Sequence, residues 1–169
     1  AIICHDAKTK QRIDHLKNFG FVDEVTVVAP GINGKMSEVN AAFGLLQLRH
    51  VERARRRRRE IDALYRRLLA GVRGLTCVLP TGQDLPNCAY FPVLVDERHP
   101  IARDALYARM RDAGIFARRY FSPLISSFPM YRGLPSAAPE NLPVATRLSN
   151  QVICLPIYPA MTDADVERV

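Results

Sequence analysis

The sequence contains no tryptophan, and aromatic residues make up only 8% of it. Nor does it hold an apolar run approaching the roughly 20 residues that a membrane-crossing helix requires, so no membrane partner is expected. Its four cysteines, Cys4, Cys77, Cys88 and Cys154, include no Cys-x-x-Cys pair and all sit in strand-like apolar stretches. That placement suits small buried hydrophobes in a reducing, cytoplasmic compartment. Cys88 has no evident His or acid partner, which argues against a catalytic thiol. His5, His15, His50 and His99 lack metal-ligand spacing, so no metal is expected, and His99 before Pro100 reads as a turn residue. Lysine is scarce too: Lys8, Lys10, Lys17 and Lys35 are the only ones.

Arginine supplies most of the basic charge. A net charge of +7 over 169 residues rests largely on Arg53 and the run Arg55-Arg56-Arg57-Arg58-Arg59. Successive helical residues advance by about 100°, so this run encircles a helix and does not make one basic face. The apolar stripe Leu48, Val51, Ala54, Ile61, Leu64 and Leu68 places Arg57 or Arg58 on the packed side. There it needs an acidic partner, either Glu60 or Glu52 nearby or a carboxylate in a part of the protein upstream of this chain or in another subunit. The run carries no interleaved aromatics and no nucleic-acid module surrounds it, so no nucleic acid is expected as a partner. With 48% hydrophobic and 24% charged residues the chain can bury a core.

Periodicity organises the chain as alternating strands and helices. Ala1-Ile2-Ile3 reads as a strand, Lys8 to Asn18 as a short helix, and Val25 to Val28 as a second strand. Ser37 to Ala70 reads as one long helix closed by Gly71 and Gly74. Strands are expected around Thr76 to Leu79, Ala89 to Val95, Ile115 to Arg119 and Val152 to Leu155. Helices are expected from Ile101 to Ala113, with Leu106 and Met110 inward, from Pro143 to Asn150, and after Thr162 as cap with Asp163 and Asp165 in the first turn. The chain opens without an initiator Met, on a strand running into a turn, and is expected to be the later half of a longer enzyme.

Two places suggest chemistry. Gly31-Ile32-Asn33-Gly34-Lys35-Met36-Ser37-Glu38 is a glycine-flanked corner leading into a helix of small residues. The Asn33 amide can donate to an oxyanion, the glycines permit close approach, and a helix start carries partial positive charge. The plainer reading is a strand-to-helix connection in which the glycines serve geometry and Ser37 or Asn33 is the cap. The second place is the loop of about twenty residues from Tyr120 to Glu140, a length that favours a functional role. Arg118, Arg119, Tyr120 and Tyr131 there suit a nucleotide diphosphate and sugar hydroxyls. Alternatively one arginine is solvated and the other ion-paired, with the tyrosines packing the loop.

Six segments in order make a more specific match: Ala1-Ile2-Ile3, Leu16 to Gly20, Gly31 to Leu48, Arg118 to Leu124, Leu142 to Ala145, and Cys154 to Pro159. Together they resemble the DegT/StrS family of pyridoxal-phosphate (PLP) nucleotide-sugar aminotransferases, a branch of fold-type I. The resemblance implies an α/β fold: residues 1–36 as the tail of the large PLP-binding domain, 37–70 as a long bridging helix, and 71–169 as a small C-terminal α/β domain. It implies PLP as cofactor with Asn33 on its phosphate, a nucleotide sugar contacted by Arg119, Tyr120 and Tyr90, an amino-acid donor such as glutamate, and a homodimer with shared sites. The family's Schiff-base lysine falls upstream of Ala1. No catalytic residue is therefore assigned here, and the chain alone is expected to be inactive. Arg119 stands where relatives often carry His before Tyr, and Asn87-Cys88-Ala89-Tyr90 where many read His-x-Tyr-His. Lys35 to Glu38 with Arg119 to Leu124 look closest to members that aminate C4 of a dTDP-4-keto-6-deoxyhexose. The alternatives are a PLP-dependent dehydratase, with His in place of the upstream Lys, and a non-catalytic interaction module.

Overall fold

A computed structural model describes residues 2–79 and 86–169. The chain divides into two compact units, Ala1–His50 and Val51–Val169.

The first unit opens with helix α1, Ala7–Leu16, whose start is fixed locally: the Asp6 carboxylate accepts the Thr9 N–H at 2.7 Å. After α1 the chain doubles back. Ile32 N donates to Leu16 O at 2.8 Å, Phe19 N to Ile32 O at 3.0 Å and Gly34 N to Lys17 O at 2.8 Å. The strand expected at Val25 to Val28 does not form. Asp23 Oδ1 takes the N–H groups of Val25 and Thr26, which a ladder would need, and only the isolated bridge Phe21–Val27 remains. Ile2 and Ile3 are likewise outside any strand, because no described segment pairs with them, while Ala1 lies outside the described residues.

Helix α2, Glu38–Leu48, is capped by Ser37, and helix α3 spans Val51–Leu68. The single helix expected from Ser37 to Ala70 is thus two. At Arg49 and His50 the i→i−4 ladder gives way to tighter bonds, Arg49 N to Leu46 O at 3.2 Å and His50 N to Gln47 O at 2.9 Å.

The second unit carries an antiparallel three-stranded sheet in the order β1-β2-β3: β1 Leu75–Cys77, β2 Phe91–Val95 and β3 Val152–Leu155. Phe91, Val93 and Val95 are buried with Pro92 and Leu94 half-buried, the period of two of a strand with one core face. The core joins these to Ile61, Leu64 and Tyr65 of α3, Met110 of helix α4 (Arg103–Asp112), Ala117, Ile153, and Met161 and Val166 around helix α6 (Asp163–Arg168). Tyr65 stacks at 4.8 Å from Phe91 and donates its hydroxyl to Pro156 O at 2.9 Å, so the largest polar core residue is satisfied. Helix α5, Pro143–Gln151, opens on proline as expected, and α6 starts with a reciprocal Thr162–Asp165 capping box. Gly74 adopts φ 76°, and a Cβ there would fall 2.1 Å from His99 N, so only glycine fits this approach.

Pro92 sits in the central strand, where a missing N–H should leave a gap in the ladder. Its carbonyl still accepts from Val78 N at 3.2 Å, and the Val78 carbonyl takes its proton from Arg66 Nη2 at 3.0 Å. A side chain of α3 thereby stands in for the backbone donor that proline lacks. The strand expected from Ile115 to Arg119 reduces to one bridge, Arg118 to Cys154, on the outer side of β3.

Of the arginine run, Arg57 and Arg58 both turn partly inward, and the Arg58 Nε is buried without a hydrogen-bond partner among the described residues, while Arg57 is well paired. Its guanidinium bonds Glu60 Oε2 at 3.2 Å, Asp163 Oδ1 at 2.8 Å and Met161 O at 2.7 Å, tying α3 to the start of α6. Glu60 is the local partner that the stripe anticipated, and the second carboxylate comes from this chain's own Asp163, not from an upstream part of the protein or another subunit. Arg55 pairs instead with Glu52.

Candidate functional site

In the first unit Asn33 is exposed, its backbone bridges to Asn18, and its side-chain amide has no hydrogen-bond partner among the described residues. Lys35 Nζ lies close by, donating to Asn18 Oδ1 at 2.9 Å and standing 5.5 Å from the Phe19 ring. An unspent amide beside an ammonium group is a suitable donor set for one oxyanion edge. The glycines have another task. A Cβ on Gly31 would come within 2.3 Å of Gly20 N and 2.5 Å of Phe19 C, so it is the chain's own backbone that approaches there. The helix starts where expected, at Glu38 with Ser37 as its cap, Ser37 Oγ accepting the Asn40 N–H, so of the two candidate caps it is Ser37 and not Asn33 that serves. Asn33 and Lys35 thus stand before the helix start, not on its first turn.

In the second unit the structure brings Tyr90 and Tyr120 together, edge to face with centroids 5.4 Å apart. Phe121 completes the group, stacked at 4.9 Å on Tyr120 and 6.4 Å from Tyr90. Tyr90 also lines a cavity of about 290 Å³ with Asp62, Arg66, Asn87 and Cys88. Cys88 has φ 48°, a left-handed conformation that non-glycine residues adopt at a cost and that concentrates at functional sites. Burial pushes its thiol pKa up, as it does for Cys154 and Cys77, which keeps all three in the thiol form at neutral pH.

Arg119 is held elsewhere. Its Nη1 donates to Asp104 Oδ1 at 2.8 Å and its guanidinium carbon sits 4.5 Å from the Tyr107 ring centroid, both on α4. The Arg119 bond, with a smaller contribution from Arg103, holds the Asp104 carboxyl below its usual range. Arg103 itself is buried and donates Nη1 to Ser149 O at 3.0 Å and Val152 O at 2.8 Å, which pins α4 to the end of α5. Its Nε lies 2.9 Å from Asp104 Oδ1 without a well-aimed N–H. Sequence reasoning missed Asp104, Tyr107 and Phe121 as neighbours of the candidate residues. The spacing of Asp104, Tyr107 and Arg111 on one helix face was the available signal.

The DegT/DnrJ/EryC1/StrS aminotransferase family model matches residues 1–169, and the chain belongs to that family. Over all 169 residues it is 52% identical to a dTDP-4-amino-4,6-dideoxy-D-glucose transaminase of Escherichia coli and 41% identical to one of Shigella dysenteriae, spanning 46% of each. Among solved structures, DesI in the presence of its TDP-sugar product matches with 36% identity and a TM-score of 0.84, over 98% of this chain and 42% of that one. The chain thus spans about half the length of the curated relatives it matches. The α/β fold expected from the sequence is the fold of these aminotransferase structures.

Proposed function

We propose that this chain supplies the nucleotide-sugar-binding part of a PLP-dependent aminotransferase. The enzyme would transfer an amino group, with glutamate as donor, to the C4 keto group of a dTDP-4-keto-6-deoxyhexose. The observation that carries the reading is 52% identity, along the whole chain, to a transaminase named for a dTDP-4-amino-4,6-dideoxy sugar. Bound PLP supplies an electron sink at the carbon that loses or gains the amine. The residues present fit its phosphate end, where Asn33 would donate its amide. None of the four lysines, Lys8, Lys10, Lys17 and Lys35, is proposed to hold the cofactor covalently, because none stands in the family's Schiff-base motif.

Tyr90 and Tyr120 offer flat apolar faces with hydroxyl tips, a combination that orients a sugar ring and bonds its hydroxyl groups. Arg119, prepositioned by Asp104 and Tyr107, would meet the diphosphate from its exposed side. The working enzyme is proposed to be a cytoplasmic homodimer, and this chain by itself to be inactive. The test is to incubate the protein of full coding length with PLP, glutamate and dTDP-4-keto-6-deoxyglucose and follow the amino sugar by mass spectrometry. Formation of the 4-amino product supports the reading. A cofactor-loaded protein that gives no amino sugar with this or any other nucleotide-linked keto sugar overturns it.

A further inference from the structure

We propose that the loop from Ser122 to Pro139 and one face of α5 form a binding site for a small organic oxyanion. The cavity between them measures about 390 Å³, within the range of small-molecule sites. Arg132 lines it, and no Asp or Glu does. Like most of the chain's arginines, Arg132 stands within salt-bridge distance of no carboxylate among the described residues.

The other polar groups are donors awaiting an acceptor. The hydroxyl groups of Ser122, Ser126 and Thr146 and the Asn150 amide line the same cavity with no side-chain hydrogen bond among the described residues. Two further hydroxyls are spent on the loop itself, Ser127 Oγ on Leu124 O at 2.6 Å and Ser149 Oγ on Thr146 O at 3.0 Å. A cation, three hydroxyls and an amide on the lining of one cavity, with no acidic residue among them, are donor types that an anionic group uses. Pro123, Leu124, Ala137 and Pro139 supply apolar wall, so the ligand has a carbon body as well as an anionic head.

The loop is already shaped for this task. Bonds from Ser127 N to Leu124 O, Arg132 N to Phe128 O and Ala137 N to Leu134 O, each 2.9 Å, fold it on itself. Asn141 Nδ2 adds a bond to Pro135 O at 2.9 Å. A preformed site loses little ordering entropy on binding. The proposal stands on these residues and does not depend on the aminotransferase reading.

Benzoate and phenyl phosphate share a ring and differ in the head group, so titrating the chain with each by calorimetry tests the site and identifies its head. Saturable binding of either probe, weakened at least about tenfold by Arg132→Gln and abolished by the cavity-filling Thr146→Phe, supports the proposal. Benzoate alone marks a carboxylate ligand, phenyl phosphate alone a phosphate monoester, and both together the shared oxyanion chemistry. Arg98→Gln, which touches only the surface pair with Asp96, should leave binding unchanged. Absence of saturable binding, or binding that Arg132→Gln leaves intact, overturns it.

Discussion

Asp14 on α1 accepts from both Lys10 and Lys17, and these bonds bring its pKa down to about 2 from an ordinary 3.8. A carboxylate whose folded-state pKa is depressed adds stability that is present above about pH 4 and is lost as pH falls towards 2. An NMR titration of Asp14 should give a midpoint near 2, and Asp14→Asn should remove this part of the acid sensitivity. Asp104 offers a similar readout at the candidate site. Arg119→Ala removes the bond that holds its carboxyl low, so the Asp104 titration should move up. In the enzyme of full coding length the same variant should raise the KM for the nucleotide sugar more than that for glutamate. The reverse order would place Arg119 at the donor site. Asn33→Ala should weaken PLP retention by about 1.5–3 kcal/mol, the size of one charge-assisted hydrogen bond. Unchanged cofactor affinity would remove Asn33 from the site.

Among the helices, α3 gives the core three buried residues, Ile61, Leu64 and Tyr65. Ile61 is fully buried, so Ile61→Ala should cost about 2–5 kcal/mol in urea unfolding, the usual toll of a large-to-small change at such a position. Helix α2 invites the opposite change. A methyl group added at Gly44 would meet no atom within 4 Å, so Gly44→Ala should stabilise this helix by about 0.5–1 kcal/mol. Helices α1, α5 and α6 were legible because their starts are written locally, in Asp6, Pro143 and Thr162. The break at Arg49 and His50 has no glycine or proline to announce it. The strands read at Val25 to Val28 and Ile115 to Arg119 have suitable residues, but a strand also needs a neighbour, and availability of a partner is not a local property. The same reason hid the geometry of the candidate site. Tyr90 and Tyr120 meet across thirty residues, and Arg119 is drawn to α4, which its own alternation pattern could not reveal.

For the molecule as a whole, the first unit is unusual in how little apolar surface it covers. Helix α2 has no buried residue, and Val39, Phe43, Leu45 and Leu48 are all more than 60% exposed. A helix apolar on every side normally lies inside a larger body, and in water such a surface promotes association. The isolated chain should therefore self-associate with rising concentration in sedimentation velocity and bind a hydrophobic dye. Phe43→Ser with Leu45→Ser should reduce both effects, and a strictly monomeric, dye-free chain would contradict the expectation.

The second unit behaves differently, and the backbone around Cys154 shows how. Cys154 and Arg118 exchange both of their backbone hydrogen bonds, Arg118 N to Cys154 O at 3.0 Å and Cys154 N to Arg118 O at 2.6 Å, while Cys154 and Pro92 form a non-hydrogen-bonded pair between β3 and β2. In a hydrogen-exchange experiment the slow amides of the sheet should accordingly extend one residue pair beyond β3, to Arg118, and stop there. Beyond Arg118 the loop is held by its own turns and by the Arg119–Asp104 pair, so its amides should exchange at a rate set apart from that of the strand beneath it.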